Sequence, residues 1–537
     1  MTHHATLLLL LFLPRSPLTP SPQRPCFLQP IAQQSKGHRF PIAVAVFPIA
    51  AVGHPVILKK AFFPFLVTQN PRQLAFLVLR SVQRGAFADV ALDKVLHQAK
   101  LSSLPDRRLL TELVYGSVRR QRTLDALIDQ LAKKPAQQQP ADLRAMLHLG
   151  LYQLRYLNHV PVSAAVNTTV DLAKQNGFAG LAGFVNGLLR QYVRLMENGQ
   201  EAGFDGSAQS NGGKREAFAC PVDPLDLSRY ASAVDRLGIL HSYPDWIVNV
   251  WLEQLGIEGT EQLCQWLNQP PHIDLRVNTL RASLETVEAA MHAAGVAVSR
   301  VPHLPQALRL PIGAGAMQQL PGFAEGWWIV QDSSAQLVGY LVDPQPEDVV
   351  VDACAAPGGK TMHIAELMHD RGTVWACDRA ASRLSKLKQN ADRLGVRSIQ
   401  LCEGDSRHLP QFVGQCDRVL VDAPCSGLGT LHRHADARWR QTPETVQQLA
   451  QLQAELLEQA ATWVKPTGRL VYATCTLHPL ENEAIVQSFL DRHADWAIDP
   501  PSSDSPPFAF ATTAGWVKIW SHQHDMDGFF MVRLKKR

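Results

Sequence analysis

Five short apolar runs in the last third of the chain restrict its fold more than any other feature. DVVVDACA, TVWACD, SIQLCEGD, CDRVLVDAP and GRLVYATCT lie between residues 348 and 476, with helical stretches between most of them. Continuous apolar strands alternating with helices must be buried on both faces, which predicts a doubly wound, largely parallel α/β sheet. DGFFMVRLKKR at the C-terminus reads as a closing strand that pairs with Val517–Trp520. The domain is expected to occupy residues 345–537.

The rest of the chain has a different period. From Arg72 to Leu195 apolar residues recur at i, i+3, i+4, as in PRQLAFLVLRSVQRG, and no strand alternation interrupts them. An all-α bundle over 69–195 follows, with Asp106 as an N-cap and Gly177 as a stop. Residues 196–225 are rich in Gly, Ser, Asn and Gln and read as a flexible linker. Over 226–344 helical pieces alternate with IDLRVNTL, ALRLP and GWWIVQD, which predicts a small α+β module. Residues 1–68 contain ten prolines and no acid. They fit neither a secretory nor a transit template, and read as an extension without a folded role or a start placed too early.

Charge separates the same regions. The bundle holds 17 Lys/Arg against 8 Asp/Glu, a net +9, whereas residues 196–537 sum to −11. A basic block of this size fits a polyanionic partner, and equally a solvated helical surface. Arg119 and Arg120 are its expected contacts to a nucleic acid. The nine cysteines are odd in number and lack paired spacings, which points to reduced thiols in a cytoplasmic compartment. No run reaches the roughly 20 apolar residues of a membrane span.

Chemistry concentrates at the carboxyl ends of the five runs, where open α/β sheets bind ligands. Asp352-Ala-Cys-Ala-Ala-Pro-Gly-Gly-Lys360-Thr361 follows the first run and opens a helix. Gly358 and Gly359 permit close backbone approach, but the pattern is no phosphate loop. Asp378, Asp405 and Asp422 each end a later run. Singly each reads as a helix cap; together with the Gly-Gly loop they favour an adenosyl ligand. Cys425 and Cys475 stand where core strands turn into this crevice, whereas Cys354, Cys377, Cys402 and Cys416 read as small core residues. Cys425 with His432 and His434 lacks paired metal spacing, so no metal is expected.

DACAAPGGKT, VDAPCSGLGT and VYATCTLHPLENE resemble the three signatures of RNA cytosine-5 methyltransferases of the Sun/Fmu and NOL/NSUN superfamily. The helical block, with PDRRLLTELVYGSVR and FVNGLLR, is similar to the NusB-like RNA-binding domain that precedes this core in small-subunit rRNA enzymes. The likeness covers about residues 70–195 and 226–537; His432 and Ala435 stand where Arg and Pro are usual. It implies a NusB-like bundle, a small α+β module and a Rossmann-like methyltransferase domain using S-adenosylmethionine. It further implies Cys475 as the nucleophile toward cytosine C6, Asp422 on the base edge, and Cys425 in release. Cys354, Ala355, Ala356, Pro357, Gly358, Gly359, Lys360, Asp378, Asp405 and Asp422 would line the cofactor pocket. The implied partner is 16S rRNA; tRNA as substrate, or a non-catalytic RNA-binding assembly factor, are the alternatives. Position alone leaves the order of the thiols open, because DNA cytosine-5 methyltransferases use a Pro-Cys thiol as nucleophile.

Overall fold

A computed structural model describes residues 69–202, apart from 100 and 102, and residues 223–537. The extension at 1–68 and most of the expected linker lie outside the described residues.

The bundle comprises α1 (Pro71–Gln83), α2 (Ala88–Ala99), α3 (Leu104–Arg119), α4 (Gln121–Leu131), α5 (Ala141–Tyr156), α6 (Val162–Ala173) and α7 (Ala182–Ala202). The run from Leu143 to Leu154 in α5 is buried except for Arg144, which makes α5 the axis of the bundle. Ser103, not Asp106, caps α3: its hydroxyl accepts the Asp106 N–H, leaving Asp106 in the first turn where its charge suits the positive end of the helix dipole. Gly177 does break the helix, at φ +88° between α6 and α7. The last helix runs to Ala202 rather than ending near Leu195. Chain re-entering at Asp223 ion-pairs with Arg155, and Leu225 is buried in the bundle core, so the linker's end packs rather than floats.

Next come α8 (Ala233–His241) and α9 (Asp245–Trp266), then a four-stranded antiparallel sheet in the order β2-β3-β1-β4. Its strands are β1 (Ile273–Val277), β2 (Ser299–Arg300), β3 (Ala307–Leu310) and β4 (Trp328–Val330), with α10 (Leu284–Ala293) between β1 and β2. The helix that follows, α11 (Ser333–Val342), was expected in this module; its Leu337, Val338, Leu341 and Val342 instead pack into the core of the larger sheet.

That sheet has the order β10-β12-β9-β8-β5-β6-β7, with β11 pairing β12. Its parallel part is β5 (Val349–Asp352), β6 (Thr373–Asp378), β7 (Ile399–Glu403), β8 (Cys416–Asp422) and β9 (Val464–Thr474). The antiparallel edge is β10 (Trp496–Ile498), β11 (Val517–Ile519) and β12 (Phe529–Lys536), which includes the expected closing pair. Alternation within strands feeds two cores: Val350, Leu420 and Val471 face α11, α12 (Gly359–Leu367) and α13 (Ala381–Leu394). Val351, Val419, Val421, Leu470 and Tyr472 face α15 (Pro443–Trp463) and α16 (Glu483–Arg492). Two short helices, α14 (Ala437–Arg440) and α17 (Ser521–His524), sit in the connections. Strand order reverses between β5 and β8, so their carboxyl ends open the crevice of such folds.

The bundle docks on the segment that follows Cys425, and the arginines expected to meet a nucleic acid form the joint. Arg119 donates to the His432 carbonyl at 2.9 Å, and Trp439 on α14 donates to the Val118 carbonyl at 2.8 Å. Arg438 is fully buried over the Tyr243 ring, with its guanidinium reaching Ser242 O and Asn268. Arg120 stacks on Tyr156, and Arg122 bonds to Tyr243 O and pairs with Asp245. These cations hydrogen-bond carbonyls, pair with an acid or stack on a ring of their own chain. Arg84, Arg108, Lys133, Lys134, Arg190 and Arg194 remain exposed.

Candidate active site

At the carboxyl end of β5 the chain turns through residues 353–358 into α12. Gly358 takes φ +104°, and a Cβ there would lie 2.5 Å from Met362 Cε and 2.6 Å from Leu387 Cγ, so both the conformation and the space require glycine. Asp352 is buried and accepts from the Thr361 hydroxyl at 2.7 Å; burial pushes its carboxyl up to about 7, with the nearby Asp422 adding to the rise. Burial also pushes the Cys354 thiol well above its ordinary value.

The three strand-end acids converge on the same crevice. Asp378 accepts from the Ala380 N–H at 2.9 Å and from Arg383 at 2.7 Å, and Arg383 also donates to the Ala356 carbonyl. Asp405 is clamped by Arg407, whose hydrogen bonds hold its carboxyl down at about 2. Asp422 receives Lys360 Nζ at 2.7 Å. Burial works against the Lys360 charge, but Asp422 and then Cys475 outweigh it and raise its affinity for the proton. Phe529 closes the other side, 5.1 Å from Nζ to the ring centre. An adenosyl methyl donor presents hydroxyls, an amino group and a sulfonium cation. Carboxylate acceptors around a glycine turn suit that set.

Beside Lys360, Cys425 and Cys475 face each other at 3.4 Å between sulfurs, although 50 residues separate them. Parallel pairing of β8 with β9 (Asp422 opposite Ala473) brings their loops together, and the Gly429 N–H donates to the Cys475 carbonyl at 3.1 Å. Cys425 is buried and Cys475 half-buried. The contact with Cys475, then burial, drives the Cys425 thiol well above its ordinary value. The structure thus brings Cys475, Cys425, Asp422 and Lys360 together, with Cys354–Gly359 and Asp378 on one flank and Asp405 beyond them.

Sequence reasoning missed two supporting groups. Glu481, fully buried, accepts from the Ser426 N–H at 2.8 Å and from Gln453 at 3.0 Å, and also from the Ser426 hydroxyl. Arg276, from β1 of the small module, donates to the Gly359 carbonyl at 2.7 Å. Glu481 lay within the VYATCTLHPLENE stretch; the partners of Arg276 are 55, 83 and 90 residues away and carried no local signal.

Comparison with known proteins places this geometry. Family descriptions match in three blocks: NusB family over residues 69–194, an RsmF/B-like ferredoxin-like domain over 243–314, and 16S rRNA methyltransferase RsmB/F over 339–535. A Synechocystis protein named Probable ribosomal RNA small subunit methyltransferase B is 48% identical over 471 residues, covering 87% of this chain and 99% of its own. The chain belongs to that family. A Bacillus subtilis member of the ribosomal RNA small subunit methyltransferase B family is 34% identical over 464 residues, covering 86% of this chain and 97% of its own. The crystal structure of PH0851 superposes with a TM-score of 0.68 at 27% identity, over 89% of this chain and all of the other. The fold is a helical NusB domain, a ferredoxin-like module and a C-terminal methyltransferase domain with a mixed sheet.

Proposed function

We propose that this chain methylates C5 of a cytosine in 16S rRNA, in the cytoplasm, with S-adenosylmethionine as donor and a covalent bond between Cys475 and cytosine C6. The observation that carries the reading is the pair of thiols 3.4 Å apart beside the Lys360–Asp422 contact. C5 of cytosine is a poor nucleophile. Addition of a thiolate to C6 makes C5 enamine-like and splits one hard step into two. Cys475 is the half-buried member of the pair, and Lys360 supplies the positive charge next to it. Asp422 binds the N3/N4 edge of the base, and Cys425 assists loss of the C5 proton and the elimination that frees Cys475. The base must leave its stack to reach them. S-adenosylmethionine, held along residues 354–360 and by Asp378 and Asp405, supplies the methyl electrophile.

Mapping 5-methylcytosine in 16S rRNA from a strain lacking the gene tests this: one position should lose its mark and regain it on complementation. An unchanged 16S map with a lost tRNA mark would transfer the reading to tRNA.

Asp378→Ala should weaken S-adenosylmethionine binding by roughly 10- to 100-fold, the worth of a charged hydrogen bond. Arg383, its protein partner, is 30% exposed and falls back on water, so the fold should survive. Calorimetry giving equal affinities for mutant and parent would remove Asp378 from the cofactor site.

Burial of Arg119 predicts a split between two sets of cations. Arg119→Ala should cost about 1.5–3 kcal/mol of stability through its lost bond to the His432 carbonyl, with the salt dependence of RNA binding unchanged. Replacing exposed Lys133 and Lys134 together by Ala should flatten that dependence by about one to two counterions. The reverse pattern would make the joint, not the free surface, the RNA contact.

A further inference from the structure

The two thiols sit on different loops, and something must hold their separation while a base enters and leaves. The residue after each cysteine is buried and hydroxylated: Ser426 follows Cys425 and Thr476 follows Cys475, both with no exposed surface. Their hydroxyl oxygens lie 2.8 Å apart. The Ser426 hydroxyl also bonds to the carboxylate of Glu481, which takes the Ser426 N–H besides, so Thr476 is tied to Glu481 through Ser426. Gln453, reaching from α15, bridges Glu481 to the Pro424 carbonyl at 2.8 Å, one residue before Cys425. On the other side the Tyr472 hydroxyl holds the Glu481 carbonyl at 2.6 Å, and Asn482 bonds to both Thr474 and the Thr476 carbonyl. Every group that satisfies the Glu481 carboxylate is a neutral donor, and burial pushes its carboxyl above the ordinary value. A carboxylate buried without a cation is costly, and Gln or Leu would fill the volume more cheaply for packing alone.

We propose that Glu481 is a positioning residue for the two-thiol chemistry: by clasping Ser426, and through its hydroxyl Thr476, it fixes the gap between Cys425 and Cys475. The functional part of this inference rests on the reading given under Proposed function. Among the described residues neither sulfur has a side-chain hydrogen-bond partner other than the other sulfur, so their spacing is set by the backbone of the residues that Glu481 ties. A displacement of about 1 Å in reacting groups can cost on the order of 100-fold in rate.

The conservative replacement separates this role from mere stability. In Glu481→Gln the amide oxygen can take the Ser426 and Gln453 N–H groups. Its NH2 can donate to the Ser426 hydroxyl, whose hydrogen turns to Thr476. Glu481→Ala has no such option.

Two readouts test the clasp in the full-length enzyme. The first is binding of phenylarsine oxide, which needs two neighbouring thiols and no catalysis. It is measured in a Cys402→Ser background, because Cys402 also contacts Cys377. The parent and Glu481→Gln should bind one equivalent, lost on Cys475→Ala, while Glu481→Ala binds at least about tenfold more weakly. The second is steady-state methylation: Glu481→Ala should lose about 100-fold in kcat with KM for both substrates within about threefold. Glu481→Gln should recover to within about tenfold of the parent. Should Glu481→Ala fail to fold, Thr476→Val, which keeps shape and deletes one hydroxyl of the clasp, must show the same weakening of arsenical binding. Arsenical affinity equal to the parent's in Glu481→Ala, or in Thr476→Val, would overturn the proposal. If the parent binds the arsenical but methylates no cytosine, the functional reading fails while the clasp stands.

Discussion

Cys475→Ala is expected to abolish turnover, by at least about 10⁴-fold, and to form no covalent complex with RNA. Cys425→Ala should behave oppositely: it adds to C6, transfers the methyl group and then stalls, so a slower protein–RNA band accumulates on a denaturing gel. With sulfurs at 3.4 Å, both thiols can approach the same C5–C6 bond, and geometry alone does not order them. Cys425, buried and facing Cys475, holds its proton tightly, which makes it the poorer nucleophile in the resting enzyme. Cys475 is more exposed and lies in the field of Lys360, where a thiolate is compensated. After methyl transfer the C5 proton must leave before the C6–S bond breaks, and without Cys425 that step has lost its assisting group. A band from Cys475→Ala instead would reverse the roles, and bands from neither variant would remove the covalent route.

Which parts of this were legible in the sequence follows from the range of the forces involved. The five parallel strands were legible because burial on both faces leaves an unbroken apolar run, a signal contained within each segment. The crevice followed from topology, since loops after β5 and β8 must meet at the switch point, and with them Lys360 and Cys425. Residues that act through partners far along the chain were not legible. Arg119 and Arg120 looked like a polyanion site because a charge count cannot see that a guanidinium lies against a carbonyl 313 residues away. Helix α11 looked like part of the small module because sequence order places it there, whereas its apolar face matches the larger sheet. Glu481 carried no signal beyond its place in VYATCTLHPLENE; its contacts appear only when Ser426, 55 residues earlier, is brought onto it.

The same blindness hid the ion pair between the small module and the methyltransferase domain, whose loss should be the largest single effect on stability. Arg276 on β1 and Glu366 on α12 are both fully buried and meet through two bonds of 3.0 and 2.7 Å. Arg276 also ties the Gly359 carbonyl in the loop proposed to hold the cofactor. Arg276→Met strands the Glu366 charge in the interior, and breaking a buried pair costs about 3–5 kcal/mol. Burial already raises the Glu366 carboxyl, with Arg276 opposing the rise, so removing Arg276 raises it further. The folded variant then keeps a proton that the unfolded chain releases above about pH 4.3. Because the unfolded state binds fewer protons there, stability falls as pH rises, by up to about 1.4 kcal/mol per unit. Urea unfolding should therefore show a deficit against the parent that is small near pH 5 and widens toward pH 8. Pairing Arg276→Met with Glu366→Leu removes both charges, and should restore most of the loss and erase its pH dependence, since an apolar pair of similar volume carries no desolvation cost. The double variant should still bind S-adenosylmethionine more weakly than the parent, because the Gly359 carbonyl has lost its donor. A deficit that is independent of pH, or a double variant no more stable than Arg276→Met, would mean that Arg276 acts through packing and not through the charge of Glu366.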